Sequence, residues 1–156
     1  MSWHRLLLLA VLASTACRRP PDPPTREHRL EELGLAITLP GDWRGGHIGE
    51  AYIFASGPAD CSLTYDDGLV GIPQTEAGAR AFLERVGAVV ESTSALAFGT
   101  RSGVAGVGTL RSTPTTRTYF GYFPGPRGAV WTVLTTRGRT PATADALWRS
   151  VTLSVR

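Results

Sequence analysis

Few residues of this chain carry side chains suited to chemistry, and their spacing limits what each can do. There are two cysteines and three histidines. Cys61 and His47, with an acid such as Asp66 or Asp67, satisfy the parts list of a thiol hydrolase: thiolate, base and orienting carboxylate. Nothing around them resembles a nucleophile elbow or a protease signature. Cys61 sits in the alternating stretch Cys61-Ser62-Leu63-Thr64-Tyr65, where a buried structural thiol is the simpler reading. His28 lies in a charged segment and His47 in the glycine-rich stretch Gly45-Gly46-His47-Ile48-Gly49, with no His-x-x-x-His or clustered Cys/His spacing for a metal. Asp66-Asp67-Gly68 lacks the alternating oxygen ligands of a calcium loop and reads as a turn. Gly103-Val104-Ala105-Gly106-Val107-Gly108 has the wrong glycine order for a dinucleotide site, and no Gly-Lys-Ser/Thr follows for a P-loop. These glycines are expected to bulge a strand or make room for an aromatic ring. The expectation is no catalytic residue, no cofactor and no metal.

Cys17 differs from the rest. His4 and Arg5 form a short basic start, Leu6 to Ala13 an unbroken apolar run, and Ser14-Thr15-Ala16 place small residues directly before Cys17. That order is the order of a secretory signal. A run of about eight residues is far short of the roughly twenty that span a bilayer. Ala16-Cys17, with Thr15, resembles the lipobox of bacterial lipoproteins, although Ser14 stands where leucine is usual. The resemblance implies a cut before Cys17 and lipid attachment to its sulfur. The alternative is ordinary cleavage leaving a free N-terminal thiol, which would be a reactive liability. A diacylglycerol plus a third acyl chain, at about 0.8 kcal/mol per buried methylene, far exceeds the hold of one myristoyl group. Residues 1–16 are thus expected as signal peptide. The expected location is the bacterial cell envelope, outside the cytoplasm and anchored to a membrane. With Cys17 acylated, Cys61 has no partner for an internal disulfide.

Composition bounds the remainder. The formal net charge is +3 and every one of the sixteen basic residues is arginine. They are scattered among acids without a basic stripe, so nucleic acid is not an expected partner. Mean hydropathy near zero suits a globular domain. Arg18-Arg19-Pro20-Pro21-Asp22-Pro23-Pro24-Thr25 reads as an extended, semi-rigid tether. The charged segment Arg26 to Glu32 is expected as a helical lead-in or a frayed one, so 17–32 is tether and lead-in and 33–156 a single domain.

Within that domain Leu35, Ile37 and Leu39 alternate in strand period, Pro40-Gly41-Asp42 turns the chain, and Trp43 anchors it to the core. Ala51 to Ser56 and Cys61 to Tyr65 read as strands. A helix is predicted from Glu76 to Val90, capped by Thr75, with Phe82, Leu83, Val86, Val89 and Val90 as its apolar face and a Glu76–Arg80 pair outside. Strands are predicted at Thr93 to Phe98, Val104 to Leu110, Thr118 to Phe123 and Ala129 to Thr135. The last is apolar or neutral on both faces and therefore central. Tyr119 and Phe123 share one face of their strand, Phe120 and Tyr122 the other; one face is core and the other is either helix-covered or a partner surface. A final helix starts at Thr140 and Pro141, with Ala144, Leu147, Trp148 and Val151 inward, and Thr152 to Arg156 as a short edge strand. Phe82, Val86, Leu147 and Trp148 are expected over Val130 and Leu134. The order calls for an α+β fold, an antiparallel sheet flanked by helices.

The opening Gly34-Leu35-Ala36-Ile37-Thr38-Leu39-Pro40-Gly41-Asp42-Trp43 resembles the strand-Pro-x-x-Trp start of Mog1/PsbP-like domains, bacterial lipoproteins of that superfamily included. The middle helix, the long hairpin and the Ala146-Leu147-Trp148 helix with Ser150-Val151-Thr152-Leu153 look like the same architecture, so the resemblance covers nearly all of the chain after the tether. It implies an α/β/α sandwich and a binding, assembly or chaperone-like role without a shared catalytic centre. The expectation is a membrane-tethered, non-catalytic protein with an envelope protein as partner. The alternatives are an envelope hydrolase using Cys61 and His47, or a carrier of a small apolar ligand.

Overall fold

The computed structural model describes residues 24–49, 51–57, 59–66, 75–126 and 128–156, with the backbone alone over 60–66. Residues 1–16, Cys17, the tether through Pro23, and Asp67 with the approach to the first helix lie outside the described residues.

Among the described residues, nine strands and two helices build the fold. Strands β1 (Thr25–Leu30) and β2 (Leu35–Pro40) form an antiparallel hairpin, joined by a 3₁₀ turn at Glu31–Leu33 and by Gly34. The charged lead-in is therefore extended rather than helical or frayed. Its charges face outward, while Leu30 is buried at the closing pair with Leu35. Leu35, Ile37 and Leu39 are buried as their alternation required, and so is Trp43.

The second sheet has seven strands in the order β3-β4-β5-β9-β8-β7-β6, every pairing antiparallel. They are β3 (Arg44–Ile48), β4 (Ala51–Ser56), β5 (Ala59–Asp66), β6 (Ala88–Phe98), β7 (Arg101–Leu110), β8 (Thr113–Pro124) and β9 (Ala129–Thr136). β9 is the central strand, as its two-sided sequence predicts. The glycine-rich stretch around His47 is not a loop but edge strand β3, held by β4.

Helix α1 spans Glu76–Arg85 and helix α2 Pro141–Ser154. Thr75 caps α1, its hydroxyl accepting from Gly78 N at 3.1 Å. The expected helix to Val90 stops short at Arg85. Gly87 takes φ +93°, and the β-branched Val89 and Val90 belong to β6. Val86 and Val89 are accordingly exposed, at 44% and 54%, and are no part of the core. Arg80 pairs with Glu84 at 3.6 Å rather than with Glu76. Thr140 caps α2, with Pro141 in its first turn. This helix continues through Thr152 to Ser154 where an edge strand was expected. Beyond it Val155 bridges Ile37 of β2, and Arg156 N donates to Ala36 O at 3.0 Å.

Two cores result. One gathers the β1–β2 hairpin, Ala144, Trp148 and Val151 of α2, and Phe54, Phe98, Tyr119, Phe123, Val130 and Leu134 of the sheet. The other sets Ala79, Phe82 and Leu83 of α1 against Val104, Phe120 and Tyr122. The aromatics of β8 thus alternate as their spacing predicts, and both sets are buried. Leu147 is only partly buried. The architecture is α+β: a mostly antiparallel fold with two helices.

Glycines of β7 and β8 make room for rings and chains, as expected. A methyl at Gly121 would lie 2.6 Å from Phe98 Cε1, and one at Gly106 would lie 2.6 Å from Leu83 Cδ1.

Candidate functional site

Strand period two places Ser92, Ser94 and Leu96 of β6 on one face of the sheet. Helix α2 crosses that face without filling the space beside β6, and a cleft of about 160 Å³ remains. Ser92, Ser94 and Leu96 form one wall, and Ala105, Gly106 and Val107 of β7 the floor. Tyr119 of β8 and Trp148 of α2 close it. The two rings are stacked at 5.6 Å between centroids, and Trp148 also meets Phe98 edge-on at 5.9 Å. The walls are largely apolar, while Ser92 and Ser94 are exposed at the rim. Ligand pockets for drug-sized molecules run from roughly 300 Å³ upward. An apolar cavity of about 150 Å³ accommodates benzene. The cleft therefore suits one apolar side chain or a molecule of that size.

A polar network closes one end. The Tyr119 hydroxyl donates to Asp145 Oδ1 of α2 and accepts from Arg117 Nε at 2.9 Å. Arg117 Nη1 donates to Glu91 Oε2 of β6 at 2.7 Å, and Nη2 lies 3.8 Å from Asp145. Burial, and then the hydrogen bond to Asp145, push the Tyr119 hydroxyl up to about 12, against the opposing pull of Arg117. Its bond to Tyr119, with Glu91 adding to the effect, raises the Arg117 guanidinium above its usual range. Tyr119 is thus a neutral donor, and Arg117 a cation held between Glu91 and Asp145. The group ties β6, β8 and α2 together and leaves no side chain poised as a base.

The sequence candidates lie elsewhere. His47 rests on Tyr52 at 4.8 Å between ring centroids and pairs with Glu32 at 3.3 Å. Cys61 is in register with Phe54 and Leu134, whereas His47 is in register with Tyr52 and, through it, Leu63. Their backbones are separated by two strand spacings and two residues, about 12 Å. Asp66 pairs with Ala129 at the far end of β5, and Asp67 lies outside the described residues. His28 sits 4.7 Å from the Phe54 ring, where burial, with Arg26 adding to it, holds its imidazole below the ordinary range. Among the described residues, no group of three or more His, Cys, Asp and Glu side chains could hold a metal ion, and no helix is long and apolar enough to cross a membrane. Sequence reading placed Trp148 in the core and Tyr119 on one of two strand faces, core or else helix-covered or partner-binding. The network it missed joins positions 91, 117, 119 and 145, which no local motif connects.

No family model matches the chain, and no curated protein does. Among solved structures it is similar to the solution structure of cyanobacterial PsbP (CyanoP) from Synechocystis sp. PCC 6803, with a TM-score of 0.63 and 11% identity over 90% of this chain and 96% of that one. A Bacteroides thetaiotaomicron crystal structure gives a TM-score of 0.48 and 13% identity, over 78% of this chain and 44% of that one. A Pseudomonas aeruginosa protein of unknown function also gives 0.48, with 20% identity over 80% and 91%. On this likeness to CyanoP, the fold of this chain is PsbP-like.

Proposed function

We propose that the chain is a lipid-anchored protein of the bacterial cell envelope that binds another envelope protein or supports its assembly, without catalysing a reaction. It belongs, on this reading, to the Mog1/PsbP-like superfamily and its α/β/α sandwich. The cleft beside β6 carries the proposal. It is apolar and sized for a single side chain, and the groups at its end are tied to one another by hydrogen bonds, which are properties of a docking surface rather than of a reacting centre. The backbone separation of Cys61 from His47 weighs against the thiol hydrolase. The volume of the cleft favours a second reading, carriage of a small apolar ligand no larger than a substituted benzene.

Anchoring rests on Cys17, as the sequence proposes it. Acyl chains make membrane retention insensitive to salt, whereas retention through Arg18 and Arg19 is screened away. Cys17→Ser should release the protein from the membrane fraction or block its processing. Intact-mass analysis showing cleavage without added lipid overturns the anchor and leaves the domain reading in place. Mild crosslinking in the intact envelope should recover a reproducible protein partner; recovering none refutes the binding role.

A further inference from the structure

We propose that edge strand β6 is the docking surface, and that it takes an extended segment of the partner as an added strand, one large apolar side chain of which fills the cleft. The proposal rests on the binding role above and specifies its partner chemistry.

The seven-stranded sheet ends in β3 on one side and β6 on the other. β3 is short, contains Gly45 and Gly46, and carries Arg44 and His47, features that blunt an edge. β6 is eleven residues long. Its two ends are already occupied. Arg80 Nη1 donates to Val90 O at 3.0 Å and Nη2 to Glu91 O at 3.5 Å, beside a bulge between Val90 and Ser92. At the far end, Gly99 N donates to Thr152 O of α2 at 2.6 Å. Between these stops, Ser92-Thr93-Ser94-Ala95-Leu96-Ala97 makes only its ladder with β7 among the described residues. The open stretch is about 20 Å long. It holds no charge and no proline, the usual defences of an exposed edge.

A row of alternating N–H and C=O groups at strand spacing is matched by another extended backbone. Side chains of an added strand project alternately to the two faces of the sheet. Those on the face of Ser92, Ser94 and Leu96 lie over the cleft, against Val107 and Trp148. The cleft has room for one phenylalanine-sized side chain. Its polar end sets two carboxylates, Glu91 and Asp145, against the single cation Arg117, so a basic residue flanking the apolar one on the segment is complementary there. A second copy pairing through the same edge would bring only Leu96 as an apolar side chain, smaller than a phenylalanine ring and flanked by Ser92 and Ser94, and the dimer measurement below separates that occupant from a partner segment.

The probe is a fluorescent peptide, Thr-Val-Thr-Phe-Thr-Val-Thr, titrated against the full chain in detergent and read by polarisation. Binding should weaken about tenfold when Phe is replaced by Ala, and by a similar factor when N-methyl groups cover one alternate set of its amides but not the other. Ser94→Arg, at an exposed rim position, should abolish binding with an unchanged melting curve, whereas Ser94→Thr should retain it. Absence of binding at millimolar peptide refutes strand addition, and equal tolerance of both N-methylation patterns refutes it in favour of a simple apolar site. A dimer that Ser94→Arg dissociates shows that the occupant is a second copy and overturns the partner assignment. A photo-crosslinker at Ser94 and another at Ile48 separate this inference from the binding role. An envelope partner captured from Ile48 and never from Ser94 leaves the role standing and removes β6 from it.

Discussion

Replacing Gly121 with alanine puts a methyl group where the packing has no room for one. The added Cβ would lie 2.6 Å from Phe98 Cε1 and 2.8 Å from Thr132 Cγ2, against a comfortable carbon separation of about 3.5–4.0 Å. Phe98 has nowhere to retreat. It is fully buried, stacked on Phe123 at 4.8 Å and met edge-on by Trp148. Thr132 is buried in the central strand. The overlap of about 1 Å on two sides belongs at the upper end of overpacking costs, roughly 2–3 kcal/mol. For a domain of this size that is a fall in melting temperature of about 10 °C. Urea unfolding of a double-mutant cycle isolates the cause. Phe98→Leu alone should cost on the order of 1–2 kcal/mol by loss of ring contacts. Combined with Gly121→Ala it should cost at least about 1 kcal/mol less than the sum, because the smaller side chain vacates the space the methyl needs. Strict additivity, or a neutral Gly121→Ala, would show that Phe98 does not lie over Gly121.

Trp148→Ala should destabilise by about 3–5 kcal/mol, since a nearly buried indole is lost from between Tyr119 and Phe98; an unchanged melting temperature would mean the face of α2 is misassigned. Val86→Thr should change stability by less than about 0.5 kcal/mol, whereas Leu83→Ala, three positions earlier and fully buried, should cost about 2–5 kcal/mol by the same unfolding assay. Tyr119 gives a pH dependence of defined sign. Its hydroxyl ionises near 10.0 when unfolded and at about 12 when folded, so the folded chain keeps a proton the unfolded chain loses. That contribution is intact below pH 10 and is lost as the pH rises through 12, with a slope of at most about 1.4 kcal/mol per pH unit. Tyr119→Phe should flatten the slope in denaturant midpoints measured across this range, and an identical slope in both proteins refutes the assignment.

Much of the scaffold was written locally. Leu35, Ile37 and Leu39 alternate, Thr140-Pro141 opens a helix, and Tyr119 through Phe123 assigns its own two faces, because each signal needs only neighbours in sequence. The errors fall where local signals conflict. Val86, Val89 and Val90 continue the apolar spacing of α1, but Gly87 and β-branching favour a turn and a strand, and pairing with Gly108 and Thr109 decides the matter. Half of β1 is charged and two of the five residues of β3 are glycine, and both are strands because β2 and β4 offer complete ladders to pair with. The cleft and its network were out of reach for a different reason. Glu91, Arg117, Tyr119 and Asp145 become neighbours only when β6, β8 and α2 are assembled, and each alone is an ordinary surface or core residue.

The stitch between Val155 and Ile37 has a consequence for the order in which the chain can be finished. The apolar face of the β1–β2 hairpin, Leu30 through Leu39, is covered by Ala144, Trp148, Val151 and Val155, more than a hundred residues further along the chain. Through nearly the whole of synthesis that early hairpin has no lid, and contacts of such long sequence separation form slowly. A nascent chain held open in this way is a client for chaperones that shield apolar segments.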